Sequence, residues 1–176
     1  MGLEDGEIGW FSPDPRGILP LDAIHVPHRL ARVVRSGHFE VSVNRDFAGV
    51  MAACADRREE GTWINDDVFD CYTALHRLRL AHSVEVWRDR RLVGGLYGVH
   101  LGGAFFGESM FHRVTDASKV ALMALVDRLQ RRGFLLLDVQ WVTPHLRRFG
   151  AIEIPRREYL ERLDAALARP CVFEAG

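Results

Sequence analysis

Lysine is almost absent from this chain of 176 residues: Lys119 stands alone, and the other 22 of its 23 basic residues are arginine. A GC-rich coding sequence accounts for that bias, so arginine carries meaning only where its positions form a pattern. Excess charge is absent as well. The 23 basic residues face 24 acidic ones, a formal charge of −1, which excludes a histone-like or tail-driven nucleic-acid binder but allows a local basic face. Cysteine is scarce: Cys54, Cys71 and Cys171 are odd in number and far apart, which excludes a disulfide framework and reads as reduced, buried thiols. No run approaches the roughly 20 apolar residues of a bilayer span. The acidic start, Met1-Gly2-Leu3-Glu4-Asp5-Gly6-Glu7, lacks the apolar core of a signal peptide. Repeats, low-complexity tracts and linkers are missing too. With 48% apolar residues, what remains is one soluble, cytoplasmic domain over residues 1–176, with no membrane partner.

Periodicity supplies the elements. Residues 8–17 are turn-rich and read as ordered, extended loop, with Trp10 and Phe11 anchoring it on the body. Residues 27–35 form a short helix stopped by Gly37, and 38–43 alternate as a strand. Asn44 or Asp46 caps a helix to about residue 55. A charged loop follows over 57–63, then a helix over 66–80 with Val68, Phe69, Tyr72 and Leu75 on one face. Three strands come next, at 82–88, 92–101 and 104–110, with Gly102-Gly103 between the last two. A long helix over 117–131 ends at Gly133; a strand over 134–140, a short helix over 144–148 and a helix over 156–167 complete the chain. This order predicts an α+β fold, helices packed on a mostly antiparallel sheet, with one crossover and one locally parallel strand pair.

Few residues in this frame point to chemistry. On the strand over 134–140, Leu135, Leu137 and Val139 share one face, and Leu136, Asp138 and Gln140 the other. A carboxylate emerging from so apolar a strand needs a partner. It is a strand end at the surface, a group satisfied by a nearby arginine, or part of a reaction centre. Glu108 has the same character and shares a face with Phe106 and Met110 by alternation. On the helix over 27–35, Leu30, Val33 and Val34 span one arc. His28, Arg32 and Arg35 fall within about 60° on the opposite side, flanked by Arg29, a face that suits either solvent or a phosphate backbone. Metal binding is not indicated, because His25 and His28 are the only close histidine pair and no acid or thiol stands beside them at ligand spacing. A Gly-x-Ser-x-Gly elbow is likewise absent.

Several stretches together are more specific. Trp10-Phe11-Ser12-Pro13-Asp14-Pro15-Arg16 resembles the W-[WF]-S-P-D-P-R signature of leucyl/phenylalanyl-tRNA–protein transferases. Glu59-Glu60-Gly61-Thr62-Trp63-Ile64, Ala81-His82-Ser83-Val84-Glu85-Val86-Trp87 and Gly94-Gly95-Leu96-Tyr97-Gly98 are similar to further family motifs. So are Gly107-Glu108-Ser109-Met110-Phe111, Ala117-Ser118-Lys119, Asp138-Val139-Gln140, His145-Leu146 and Glu153-Ile154-Pro155-Arg156, all in family order. The resemblance implies a GNAT-like (acetyltransferase-like) fold. It also implies transfer of Leu or Phe, and less readily Met, from Leu-tRNA or Phe-tRNA to the α-amino group of proteins beginning with Arg or Lys. The product would be read by the bacterial N-end-rule degradation machinery, and neither a metal nor another cofactor is implied.

By the same resemblance Asp138 and Gln140 lie at the reaction centre and Glu108 in the donor pocket. Leu96, Phe105, Ser109 and Met110 match pocket positions, and Trp63 and Tyr72 positions near the terminal adenosine. Alternation puts some of the apolar set on different faces, which a bulge or a pocket between strands would reconcile. His28, Arg29, Arg32 and Arg35 match the acceptor-stem helix; His28 stands where the family typically has Arg, which predicts weaker or more pH-sensitive tRNA binding. The family's small N-terminal domain is expected to be largely missing, with Met1 an internal methionine of a longer protein. Two other readings follow: a truncated, non-catalytic tRNA-binding remnant, and an acyl-CoA N-acyltransferase. The second is disfavoured because residues 111–117 lack the [QR]-x-x-G-x-[GA] pyrophosphate loop.

Overall fold

The computed structural model describes residues 9, 11–56 and 62–174. The first half of the chain contributes β1 (Arg16–Ile18), α1 (His28–Arg35), β2 (Glu40–Val43), α2 (Phe47–Ala55) and α3 (Asp66–Arg77). The meander β3 (Ala81–Arg88), β4 (Arg91–Leu101) and β5 (Ala104–His112) leads into α4 (Ala117–Arg131) and β6 (Leu136–Gln140). The chain finishes with α5 (Pro144–Arg147), β7 (Ile152–Ile154) and α6 (Arg156–Leu167). Among the described residues, no helix is long and apolar enough to cross a membrane.

One seven-stranded sheet results, in the order β2-β3-β4-β5-β6-β1-β7. Every neighbouring pair is antiparallel except β5 and β6, which α4 joins by a crossover. This is the α+β, mostly antiparallel architecture expected from the pattern. The turns and caps follow local chemistry. Asp89 and Arg90 take left-handed φ values of 51° and 59° and join β3 to β4 in a tight hairpin. Asp46, Asn65 and Thr143 cap α2, α3 and α5 by accepting backbone N–H bonds.

The helices cover the two faces unequally. On one face α4 buries Val120, Ala121, Leu125 and Leu129 against Leu96, Phe105 and Leu137 of the sheet, with Leu30 of α1 and Leu146 of α5 joining the same core. On the other face α2 and α3 pack over Ala81 and Tyr97. Beside them Tyr159 and Ala166 of α6 pack on Ile18, Ala104, Leu136 and Ile154.

Some expectations need correction. Arg16 and Gly17, expected in the opening loop, form β1 with Ile18, and β7 had no signal of its own; both are three-residue strands held mainly by their neighbours. The helix expected over 66–80 stops at Arg77, because Arg79 turns left-handed at φ 60°. Leu135 is exposed and lies before β6. Val34 is 45% exposed instead of sharing the buried arc of Leu30 and Val33. Phe11 lies against the body only in part and is 54% exposed. Trp10 and most of the loop expected over 57–63 lie outside the described residues.

The start of α4 rests directly on the sheet. A Cβ on Gly94 would sit 2.5 Å from the Cβ of Ala117 and 2.9 Å from its carbonyl carbon, so only glycine permits this approach. Gly94→Ala is expected to cost about 1–3 kcal/mol, lowering Tm by roughly 3–10 °C in a domain of this size. Thermal unfolding followed by circular dichroism measures it; an unchanged Tm would mean that α4 does not bear on β4 at that point.

Candidate active site

Strands β5 and β6 pair over only three positions, Ala104 with Leu136, Phe105 with Leu137 and Phe106 with Asp138. Beyond Phe106 they separate, and the wedge between them holds a cavity of about 650 Å³. A bulge widens the wedge. Tyr97 pairs with Ser109 and Gly98 with Gly107, which leaves Glu108 as the extra residue of β5. The bulge also resolves the face problem met in the sequence: five residues apart, Phe105 and Met110 both pack on the α4 side. Glu108 therefore does not share a face with both Phe106 and Met110, since Phe106 belongs to the α6 cluster.

Because the wedge passes through the sheet, its two halves have different chemistry. On the α4 side the cavity is lined by Leu96, Met110, Leu122, Leu125, Leu137 and Leu146. The other part is polar and aromatic, with Arg16, Trp63, Tyr72, Glu108 and Gln140. An apolar chamber that opens onto a few convergent polar groups is the usual form of a small-molecule site.

Asp138 is fully buried and accepts five hydrogen bonds from three residues. Arg16 donates Nε to both carboxylate oxygens (3.1 and 3.2 Å) and Nη2 to Oδ2 at 2.8 Å. The Tyr159 hydroxyl donates to Oδ2 at 2.6 Å, and the backbone N–H of Gln140 donates to Oδ1 at 2.8 Å. The Arg16 guanidinium also lies over the Tyr159 ring, 5.1 Å from its centroid. Burial by itself would lower the pKa of Arg16, yet its bond to Asp138 leaves it raised, so Arg16 stays cationic. Burial and the neighbouring carboxylate push the Tyr159 phenol well above its ordinary value, so Tyr159 remains a donor.

Gln140 follows in a left-handed conformation, φ 58°, which ends β6 and brings its side chain to the cavity wall. Opposite it stands Gly17, whose Cβ, if present, would lie 2.9 Å from the carbonyl carbon of Trp141 and 3.1 Å from that of Gln140. Without a side chain there, β1 can lie against this turn.

Glu108 is held differently. Its partner is the Tyr72 hydroxyl, a neutral donor, and burial raises the pKa of both groups. Asp138 adds to the rise at Glu108, while the Tyr72 bond and the Arg16 charge oppose it.

Of the residues expected at the site, Glu108, Gln140, Trp63, Tyr72, Leu96, Ser109 and Met110 line the cavity. Asp138 does not; it stands behind the wall and meets the cavity through Arg16 and Gln140. Phe105 is not a lining residue either, being fully buried and stacked on Phe173 at 5.2 Å. His28, Arg29, Arg32 and Arg35 form an exposed face of α1, apart from the cavity, and none has a salt bridge among the described residues. Sequence reasoning missed Arg16 and Tyr159, although the need of a buried Asp138 for an arginine was foreseen. It also missed Leu122 and Leu125, which read only as the core face of a helix. Among the described residues no group of three or more His, Cys, Asp or Glu side chains is placed to hold a metal ion.

Comparison with known proteins agrees with this geometry. The chain is 57% identical over 175 residues to a leucyl/phenylalanyl-tRNA–protein transferase of Phenylobacterium zucineum, covering 98% of this chain and 79% of the relative. It is 55% identical over 170 residues to that of Ruegeria sp. (strain TM1040), covering 97% and 80%. Among solved structures, L-PGS from Bacillus licheniformis superposes with a TM-score of 0.53 over 89% of this chain and 65% of that one, at 9% identity, a likeness of fold alone. The sequence model described as leucyl/phenylalanyl-tRNA protein transferase matches residues 18–164, and with relatives this close the chain belongs to that family.

Proposed function

We propose that the chain transfers Leu or Phe, and less readily Met, from aminoacyl-tRNA to the α-amino group of proteins beginning with Arg or Lys. The observation that carries this reading is the two-sided cavity, an apolar chamber joined to a polar one whose described wall presents the Glu108 carboxylate. The chamber of Leu96, Met110, Leu122 and Leu125 suits a Leu or Phe side chain, which it selects over small residues by the surface it buries. Trp63 and Tyr72 offer aromatic faces for the terminal adenosine. The exposed arginines of α1 suit the acceptor-stem phosphates.

The charges divide the labour. Asp138 is neutralised by Arg16, so Glu108 is the carboxylate left to attract a cationic acceptor terminus. An α-amino group has a pKa of about 7.7–8.0, so a fraction is already neutral near pH 7 and little base strength is needed. Holding that amine in line with the ester carbonyl, with Gln140 as a hydrogen-bonding partner, accounts for much of the rate. The ester bond of the donor drives the reaction. In a bacterial cytoplasm the product would carry a destabilising N-terminus, the mark used in N-end-rule degradation.

The test is transfer of labelled Leu or Phe from charged tRNA to a peptide beginning with Arg, with a peptide beginning with Asp as control. Transfer specific to the basic terminus is expected. Equal transfer to both peptides would contradict the reading, and binding of charged tRNA without any transfer would favour a tRNA-binding role.

Two variants sharpen it. Glu108→Gln should reduce kcat/KM for the Arg peptide roughly 10- to 100-fold, the range for a lost hydrogen bond to a charged group. The same variant should gain about 1 kcal/mol of stability at neutral pH. The sign follows from the raised pKa of Glu108: the folded state holds its proton more tightly than the unfolded state, so this penalty is fully present above the folded pKa and fades as pH falls toward 4.5. Thermal unfolding at several pH values measures it; a destabilised Glu108→Gln at neutral pH would contradict the assignment. Replacing Arg32 and Arg35 together by Ala should reduce the salt slope of tRNA binding by about 1.4–1.8, while an unchanged slope would place the tRNA elsewhere.

A further inference from the structure

Arg16 closes the motif Trp10-Phe11-Ser12-Pro13-Asp14-Pro15-Arg16, to which the reading above gives no chemical role. Its side chain is 13% exposed and lines the cavity, so the guanidinium is desolvated without being sealed off. Nε and Nη2 are engaged by Asp138, whereas Nη1 makes no hydrogen bond among the described residues. Among the described residues Arg16 and Glu108 are the only Asp, Glu, Lys or Arg side chains lining the cavity, and His145 the only histidine, its pKa lowered by burial and by Lys119, His112 and Arg148. The described wall of the cavity thus offers one fixed cationic side chain with unused donor capacity, clamped from behind by a carboxylate that the cavity does not reach.

Such a group suits developing negative charge. The neutral amine nitrogen of the acceptor, formed when its ammonium gives a proton to solvent, attacks the ester carbonyl carbon of the donor. A C–N bond forms and the carbonyl π pair moves to oxygen. When the tetrahedral intermediate collapses, the C–O bond to the ribose breaks, and the ribose oxygen leaves with the second proton from nitrogen. Between these events the former carbonyl oxygen is an oxyanion, and a preorganised donor in a water-poor site stabilises it strongly.

We propose that Arg16 donates that hydrogen bond to the oxyanion, and that Tyr159 acts as a positioning residue by holding Asp138, and through it Arg16, in place. This rests on the transferase reading of the same cavity. The Arg16–Asp138 pair is neutral as a whole, so it can donate to an oxyanion without repelling a cationic acceptor. The planar fork explains why arginine stands here: two of its nitrogens grip the carboxylate while the third is left for the reaction. Tyr159 completes the clamp, its hydroxyl on Oδ2 and its ring beneath the guanidinium.

The experiment is single-turnover and steady-state transfer from charged tRNA to the Arg peptide by the parent chain and by Arg16→Ala, Arg16→Lys and Tyr159→Phe. Thermal unfolding accompanies each variant. Failure of the parent to transfer would count against the transferase reading itself, so the proposal is judged against an active parent. Arg16→Ala is expected to lose about 100-fold or more in kcat, the scale of a removed oxyanion donor, with KM for charged tRNA changed less than about threefold. Guanidinium chloride at millimolar concentration should restore at least a tenth of the lost rate, and sodium chloride at equal concentration should not, which separates rescue from salt effects on tRNA binding. Arg16→Lys should stay impaired in kcat, and Tyr159→Phe should fall roughly tenfold in kcat with KM preserved. Parent-like kcat in both Arg16 variants, losses confined to KM, or a folded Arg16→Ala that guanidinium does not rescue would each overturn the proposal. If Arg16→Ala fails to fold, Arg16→Lys decides: an impaired kcat at unchanged KM supports the assignment, and a parent-like kcat overturns it.

Discussion

An ionised carboxylate with no access to water survives in a protein only when its partners are fixed around it, and Asp138 imposes that condition on this molecule. Its partners come from β1, α6 and the turn that ends β6, so satisfying one side chain brings together segments 16–17, 138–140 and 159. The short β1 can sit between β6 and β7 because Gly17 lets its backbone lie against the Gln140–Trp141 turn. The same hydrogen bond that satisfies Asp138 holds the N–H of Gln140 while its backbone takes a left-handed φ. A buried ion pair of this kind is weak evidence for stability but good evidence for a specified geometry, since breaking it costs far more than keeping it. Here the geometry specified is the polar wall of the cavity.

The second organising feature is the early parting of two parallel strands. After three paired positions β5 and β6 diverge, and the bulge at Glu108 turns the rest of β5 so that Met110 joins Leu96 on the α4 side. A cavity that crosses the sheet can keep an apolar side chain on one face and the reacting groups on the other. Charge placement follows the same division. Asp138 and Arg16 cancel, whereas Glu108, bonded by the neutral Tyr72, keeps a desolvation penalty that the fold tolerates. A carboxylate so placed lowers stability near neutral pH, as expected of a group retained for what it binds.

Much of the fold was legible because its signals are local. The bounds of α4 and α6 follow from apolar periodicity, with Gly133 ending α4, and β3, β4 and β5 from alternation, with Gly102-Gly103 between the last two. The strands β1 and β7 carry no such signal: each is three residues long and exists by pairing. At the site, the family motifs pointed to Glu108 and Gln140, which do line the cavity. The role of Arg16 was hidden because its partner lies 122 positions away in sequence. Tyr159 was hidden because an aromatic residue on an amphipathic helix reads as core, which it also is. Strict alternation failed for Phe105 and Met110 because one extra residue in β5 shifts the register, a local irregularity that period-two reasoning does not contain.

Asp138 thus organises the site from behind, while Arg16, Glu108 and Gln140 face the cavity. The most direct measurement is a crystal structure of the chain with an amide-linked, non-hydrolysable analogue of leucyl-adenosine. The leucyl side chain is expected among Leu96, Leu122 and Leu125, the carbonyl oxygen within hydrogen-bond distance of Arg16, and no ligand atom bonded to the Asp138 carboxylate. A ligand bound directly to Asp138, or one whose side chain lies outside the α4-side chamber, would contradict this arrangement.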